Sequence, residues 1–324
     1  MKALIGAIAS LFRRHKLKML CVPLFAVAWG LLIFPKGDLA DLFSAKSSEL
    51  SGGAVYLDMD SFGISLFPSP EAILENVAID ARMLPTIKLK SLTASASIAS
   101  LLAGKLGVSA HAGGLFNGDA DVTYAQGEKT ASGNRLQSVD LRLDRIGLGG
   151  LNEVLRALMP MDLSLRGSVN GTARASVDPG FGQQPTGAFD VEISKLSMNL
   201  VNLLGIELAF EKTQLVGRLS EGKLQIEKGD LGSVKDDLNA KIKGSVDLAV
   251  LPAGPGAGSP RLEPGAFDLV VSLNATDAIV RRLGLIFDSI TQQGGKSEKT
   301  ATGYAYRFRA VPGPGGLPRY MSVE

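Results

Sequence analysis

Between Met161 and Asp178 (MDLSLRGSVNGTARASVD) every odd-numbered residue is apolar or glycine and every even-numbered one is polar or charged. A period of two sends alternate side chains to opposite faces of a β-strand, one face dry and the other wet. Asn170-Gly171 inside this run is a common two-residue hairpin turn. A turn there would set Val169 across from Thr172 and Leu165 across from Ser176, mixing apolar and polar residues on both faces. Parity therefore predicts one continuous strand on the order of 50 Å long, bent if anywhere at its glycines.

The same alternation recurs along most of the 324-residue chain. Val55, Leu57 and Met59 change phase at Ser61 and continue as Phe62, Ile64 and Leu66. Val77, Ile79 and Ala81 are followed by Ile87 and Leu89, then Leu92, Ala94 and Ala96. Leu106 to Tyr124 repeats the long-strand pattern, its even series running through Leu106, Val108, Ala110, Ala112 and Phe116 to Tyr124. A turn is expected at Gln126-Gly127-Glu128-Lys129, and a strand at Val139 to Leu143. Phe189, Val191 and Ile193 slip near Lys195 to Leu196, Met198 and Leu200. Ile206 to Ile226 reads as a meander turning at Glu221-Gly222, Leu238 to Val250 alternates cleanly, and Tyr304, Tyr306 and Phe308 form the last strand. Helices are few: Ser100–Lys105, Leu151 to Leu158 with Asn152 as its N-cap, and Asp277 to Ile290 with Ile279, Leu283, Ile286 and Ile290 on one stripe.

Gly167-Ser168-Val169 precedes Gly187-Ala188-Phe189-Asp190 much as Gly244-Ser245-Val246 precedes Gly265-Ala266-Phe267-Asp268, with a Gly/Pro-rich turn inside each pair. Units that cannot bury an apolar face alone stack on neighbours. The expected fold is mainly β: long antiparallel strands in a twisted, repeat-built open sheet or groove, with a few short helices and an N-terminal transmembrane helix.

That last element is Met19–Phe34, sixteen uncharged residues that include Leu24 and Trp29. As a helix they rise about 24 Å, slightly short of a bilayer core. Arg13, Arg14, Lys16 and Lys18 precede them, which keeps the N-terminus cytoplasmic and exports the rest. Ala26-Val27-Ala28 imitates a signal-peptide cleavage site, but the apolar run continues beyond it. The expected organisation is a cytoplasmic basic segment (1–18), an anchor (19–34), a connector (35–50), a periplasmic β-rich body (51–311) and a flexible Pro/Gly-rich tail (312–324).

Chemistry is scarce. Formal net charge is +2, yet six of the 34 basic residues lie before residue 37; removing them leaves 28 basic against 32 acidic residues in the body, a balance of −4. Such a body is a poor nucleic-acid partner. The single cysteine, Cys21, permits no disulfide within the chain. His111 falls on a polar parity without a companion, and the pairs Asp58/Asp60 and Asp119/Asp121 read as solvated faces rather than acid–base couples. No catalytic residue, metal site or cofactor is expected, and the chain is read as non-enzymatic. The apolar face has two readings, a core closed by helices or an open trough for acyl chains. So few helices favour a partly open trough, with Leu106, Val108, Phe116, Leu163, Leu165, Val169, Ile242 and Val246 as its candidate lining.

Ser65-Leu66-Phe67-Pro68-Ser69-Pro70, Leu74-Glu75-Asn76-Val77-Ala78-Ile79 and Leu101-Leu102-Ala103-Gly104-Lys105-Leu106, behind a short anchor, resemble the AsmA-like envelope proteins. In size and layout the chain is similar to the type II secretion system protein N (GspN) family. The resemblance implies a single-pass protein of the bacterial inner membrane with a periplasmic β-rich groove. It further implies partnership with other inner-membrane subunits of the type II secretion system in an accessory or scaffold role. The AsmA-like alternative is binding or transfer of phospholipid through its acyl chains, in outer-membrane homeostasis.

Overall fold

A computed structural model of the chain describes residues 36–65, 69–81, 84–97, 100, 103–129, 135–158, 164–179, 183–199, 207–251, 261–313 and 318–323. The anchor residues Met19, Leu24, Trp29 and Phe34 lie outside them, as does Leu163, and among the described residues no helix is long and apolar enough to cross a membrane. The rest is one sixteen-stranded sheet.

Helix α1 (Lys36–Leu50) occupies the expected connector. It is followed by β1 (Val55–Asp58), β2 (Ser61–Ser65), β3 (Glu71–Ala81), β4 (Leu84–Ala96), β5 (Gly107–Leu115), β6 (Gly118–Lys129) and β7 (Arg135–Gly147). Helix α2 (Leu148–Leu158) leads into β8 (Ser164–Val177), β9 (Thr186–Asn199), β10 (Glu207–Ser220), β11 (Lys223–Leu231), β12 (Leu238–Leu251) and β13 (Arg261–Thr276). Helices α3 (Asp277–Arg282) and α4 (Gly284–Gln292) precede β14 (Lys296–Lys299), β15 (Gly303–Pro312) and β16 (Pro318–Met321). From β3 to β13 each strand pairs antiparallel with the next in the chain; β1 and β2 share β3 as partner, and β14 and β16 both flank β15. The tail expected to be flexible thus returns as a strand: Arg309 pairs with Met321 and Val311 with Arg319.

Strand β8 runs straight through Asn170-Gly171. Asn170 faces Glu192, Gly171 faces both Leu143 and Val191, and Ala173 faces both Leu141 and Phe189. The structure reverses the corresponding expectation for Leu106 to Tyr124, which is a hairpin. Phe116 (φ +47°) and Asn117 (φ +67°) form a two-residue turn of the type whose central residues both need positive φ. By parity alone this turn would oppose apolar to polar residues. Gly114 (φ +77°) is looped out as a bulge, so Gly113 pairs with Asp119 and Ala112 with Ala120, restoring like to like. Nor does Gln126–Lys129 turn: it remains in β6, where Gln126 faces Gln137 and Lys129 faces Arg135.

Bulges elsewhere act in the same sense. At Lys195 (φ +52°) β9 advances three residues, Ser194 to Ser197, while β8 advances two, Ser168 to Arg166. The apolar series accordingly moves from Phe189, Val191 and Ile193 to Leu196 and Met198 without changing face. At Arg145 (φ +54°) β7 steps from Leu143 to Ile146 against Gly171 to Val169. In β11, Ile226 to Gly229 faces Gly244 to Ile242. The outcome is an apolar row of register partners running Phe62, Leu74, Leu92, Ala112, Ala120, Leu143, Gly171, Val191, Leu215, Gly229, Ile242, Val271 and Phe308.

Helices cover one end of this face. Leu148 and Leu151 of α2, Ile279 of α3 and Phe287 and Ile290 of α4 join Ile146, Val169, Leu196, Phe210 and Tyr306 in the larger core. A smaller core, Phe62, Leu74, Val77 and Leu89, receives Ala40 of α1. Asn152 is not the N-cap of α2. It lies within the helix, and its amide accepts from Leu165 N at 2.8 Å and donates to Leu165 O at 2.9 Å, docking α2 on the start of β8. The helix expected over Asp277 to Ile290 is broken at Leu283 (φ −106°, ψ 25°), just before the weak helix former Gly284. The break rotates α4, so Phe287 is buried and Ile286 is 44% exposed.

The two echo segments form consecutive strand pairs, β8/β9 and β12/β13, in different registers: Val169 faces Ile193, whereas Val246 faces Phe267. Gly167 (φ +132°) and Gly244 (φ +141°) nevertheless share a conformation that L side chains rarely adopt. At Gly244 an added Cβ would stand 2.0 Å from Asp268 O. Gly244→Ala is expected to lower unfolding free energy by on the order of 2–3 kcal/mol in urea titrations. Gly149→Ala, whose added methyl meets nothing within 4 Å, leaves it unchanged or raises it by up to about 1 kcal/mol.

Candidate functional site

Away from the helices the apolar face goes on with no helix over it among the described residues. A second row of register partners, Ala96, Val108, Tyr124, Val139, Ala175, Gly187, Leu219, Leu224, Val246 and Phe267, spans β4 to β13. None of these residues is buried, and Val139 is 36% exposed. Leu215, two rows in, is still 39% exposed, whereas Val169, in the helix-covered core, is only 8% exposed. The uncovered part is therefore a band of aliphatic side chains, two aromatic rings and glycines, continuous with the closed core.

At the open end Gln184, shortly before β9, lies beside the tip of the β10–β11 hairpin. Gln184 donates to Val250 O at 3.2 Å and accepts from Val250 N at 3.0 Å, and Leu248 N donates to Gly222 O at 2.7 Å. Gln184 is thus tied to β12 although two strands separate β9 from β12. The hairpin tip is Glu221 (φ +51°) and Gly222 (φ +72°), the turn expected there.

The expected lining divides accordingly. Val108 and Val246 belong to the uncovered row. Ile242 and Leu165 pack against the helix-covered core, and Val169 is part of it. Leu106 precedes β5, 43% exposed, its N–H donating to Gln126 Oε1 at 3.2 Å. Phe116 stands apart from the uncovered row: it sits in the β5–β6 turn against the start of α2, close to Gly150, where it lines a separate cavity beside β4. Phe267, at the β13 end of the uncovered row, packs against the larger core. Val139, Leu215, Leu219 and Leu224 were absent from the expected lining and stand in or beside the open rows. Their strand parity marked them as apolar-facing, but only the register between strands assigns them to the uncovered end.

The opposite face is polar and carries cross-strand ion pairs. His111 Nδ1 is 2.7 Å from Asp121 Oδ1, Lys212 Nζ is 2.7 Å from Glu192, and Arg174 meets Asp140 at 2.5 Å. The acid pairs have structural partners: Asp60 accepts from Asn76 at 2.9 Å, and Asp119 from Gly114 N at 3.1 Å. No group of three or more metal-ligating side chains occurs among the described residues. Arg309 donates to both carboxylate oxygens of Asp268, Nε to Oδ1 at 2.6 Å. Those hydrogen bonds hold the Asp268 carboxyl below its ordinary range, with Lys223 adding to the effect. Burial pushes the Tyr306 phenol up, as expected where it stacks on Phe287 at 4.7 Å beneath α4.

No protein-family model, curated protein or solved structure matches this chain.

Two measurements follow from this geometry. Thr213, between Ile193 and Leu231 on the apolar face, has a buried hydroxyl with no hydrogen-bond partner among the described residues. Thr213→Val should stabilise the protein by up to about 1 kcal/mol; a loss of stability would mean that the hydroxyl is satisfied. Asp268 has its pKa lowered by folding, so its contribution is complete above the unfolded value, about 3.9, and disappears as pH falls through the lower folded one. The contribution is small, since both partners are about half exposed. NMR titration should place the Asp268 midpoint below that of an ordinary aspartate, and Arg309→Gln should return it there.

Proposed function

We propose that this is a non-enzymatic lipid-binding protein, anchored in the bacterial inner membrane by residues 19–34, whose uncovered apolar band holds phospholipid acyl chains on the periplasmic side. One observation carries the reading: the row from Ala96 through Val139 and Val246 to Phe267 contains no buried residue, although it continues the face that forms the core. A contiguous apolar surface left in water is costly, at roughly 25 cal/mol per Å², and such surfaces mark interaction sites. Acyl chains suit it, because they need apolar contact along a length and no directional hydrogen bonds.

The test is native mass spectrometry of full-length protein extracted from inner membranes. Phospholipid should remain bound. Leu215→Glu combined with Val246→Glu should lower its occupancy roughly tenfold, with stability changed by no more than about 1–2 kcal/mol because Leu215 is exposed and Val246 is only partly buried. Extraction without phospholipid, or equal occupancy in the variant, would contradict the reading.

A second reading, an accessory or scaffold subunit of the type II secretion system, draws on the similarity of the chain to the protein N family in size and layout. It predicts co-isolation with other inner-membrane secretion subunits after mild crosslinking. The two readings separate cleanly, because the Leu215/Val246 variant should leave that co-isolation intact.

A further inference from the structure

We propose that the gap between β4 and the β5–β6 hairpin binds the phosphate-bearing headgroup of the lipid, through Lys88 and Lys90; this rests on the acyl-chain reading above. Strand β3 pairs with β4 from Leu84 to Ser95, whereas β5 pairs only with Ser91 to Ala96. Leu84 to Lys90 therefore has a strand neighbour on one side alone. The cause lies in two left-handed residues. Gly114 (φ +77°) turns β5 aside immediately beyond its last pair with β4, and Asn76 (φ +49°) kinks β3 opposite Lys90. The two cores meet at this divergence, with Leu115 packing against both.

A cavity of about 730 Å³ occupies the gap. Lys88, Lys90, Asn117 and Glu153 line it together with Val77 and Leu89 of the smaller core. The lysines stand at i and i+2 of one strand and so project to the same side. Both are exposed, and neither makes a hydrogen bond or ion pair among the described residues. That sets them apart from Arg174, Lys212, Arg218, Lys228 and Arg309, each paired with a carboxylate on the polar face. Glu153 is the single acidic residue in the lining, leaving the cavity one positive charge in excess. The Lys90 stem lies where a Cβ on Gly114 would be, 2.6 Å from its Cγ, so the glycine is what lets the side chain run along the gap.

Two compact ammonium groups suit a phosphate oxygen cluster. Phe116, which also lines the cavity and is only partly buried, suits the first carbons of an acyl ester rather than a free ion. Helix α1 packs on β1 and β2 at this same end of the sheet, and the proposed anchor finishes at Phe34, two residues before α1 begins. The site consequently stands on the side from which a membrane lipid would arrive.

The experiment uses full-length protein in uncharged detergent, offered dioleoyl phosphatidylglycerol or dioleoylglycerol, which share acyl chains and differ in the phosphate. Native mass spectrometry should show the phospholipid retained roughly tenfold better. Lys88→Gln with Lys90→Gln should equalise the two lipids while dioleoylglycerol is still held, and Lys88→Arg with Lys90→Arg should keep the preference. Equal retention by the unaltered protein would overturn the headgroup site and leave the acyl-chain reading standing. Retention of neither lipid would overturn the acyl-chain reading itself. A third arm titrates inorganic phosphate, followed by ³¹P NMR: binding that the glutamine variant abolishes, in protein that retains neither lipid, would assign the lysines to a free phosphate and overturn the lipid assignment.

Discussion

Cross-strand register on the apolar face is the constraint from which the remaining architecture follows. A side chain on a sheet can be dry only if its neighbours on both flanking strands are dry as well. Here that condition holds from β2 to β15, and every irregularity serves it. Residues 145, 195 and 227 are charged, exposed and extra to the ladder. Each absorbs a phase change on the wet side so that the apolar series stays on the other. Where glycine replaces a larger residue in the rows, as at Gly171, Gly229 and Gly244, a Cβ would stand 3.0 Å or less from the neighbouring backbone. Those strands therefore pass one another more closely than side chains would permit.

Such a sheet makes far more apolar surface than its helices can cover. Helices α2, α3 and α4 close one end, and Asn152 locks α2 in place by bonding both backbone groups of Leu165. The other end carries the Gln184–Val250 link, and no helix among the described residues covers it. One continuous surface thus does two jobs, core at the helical end and exposed apolar band beyond it. No boundary in composition separates them; coverage alone does. The headgroup site proposed beside β4 fits this scheme, because it opens where the ladder fails and where the two cores come into contact.

Much of this was legible in the chain. Alternation announced a mainly β protein, the slip at Lys195, the turn at Glu221-Gly222 and the uninterrupted course of β8. The same reasoning failed at Phe116-Asn117, and the comparison is instructive. Asn170-Gly171 has favourable turn residues and does not turn; Phe116-Asn117 has an unfavourable first residue and does. Parity excludes a hairpin only if no bulge follows, and Gly114 supplies one. Asn152 was read by its position near a helix start, since the backbone it would bind is contributed by a strand thirteen residues away. The helix break at Leu283 was hidden because its stripe is regular, and only the packing of Phe287 against Tyr306 selects the rotated arrangement. Lining residues were assigned by strand face, which single-chain parity supplies, but not by distance from the helices, which requires register.

The central claim is that the two faces of the same strand differ in what they meet in the cell, lipid on one and water on the other. Adjacent positions Gln214 and Leu215 of β10 test it most directly, by placing a photoreactive amino acid at each in turn within full-length protein in native membranes. Irradiation should yield an adduct of phospholipid mass from position 215 and none from position 214. Equal labelling at both positions, or labelling confined to 214, would contradict a one-sided acyl-chain surface.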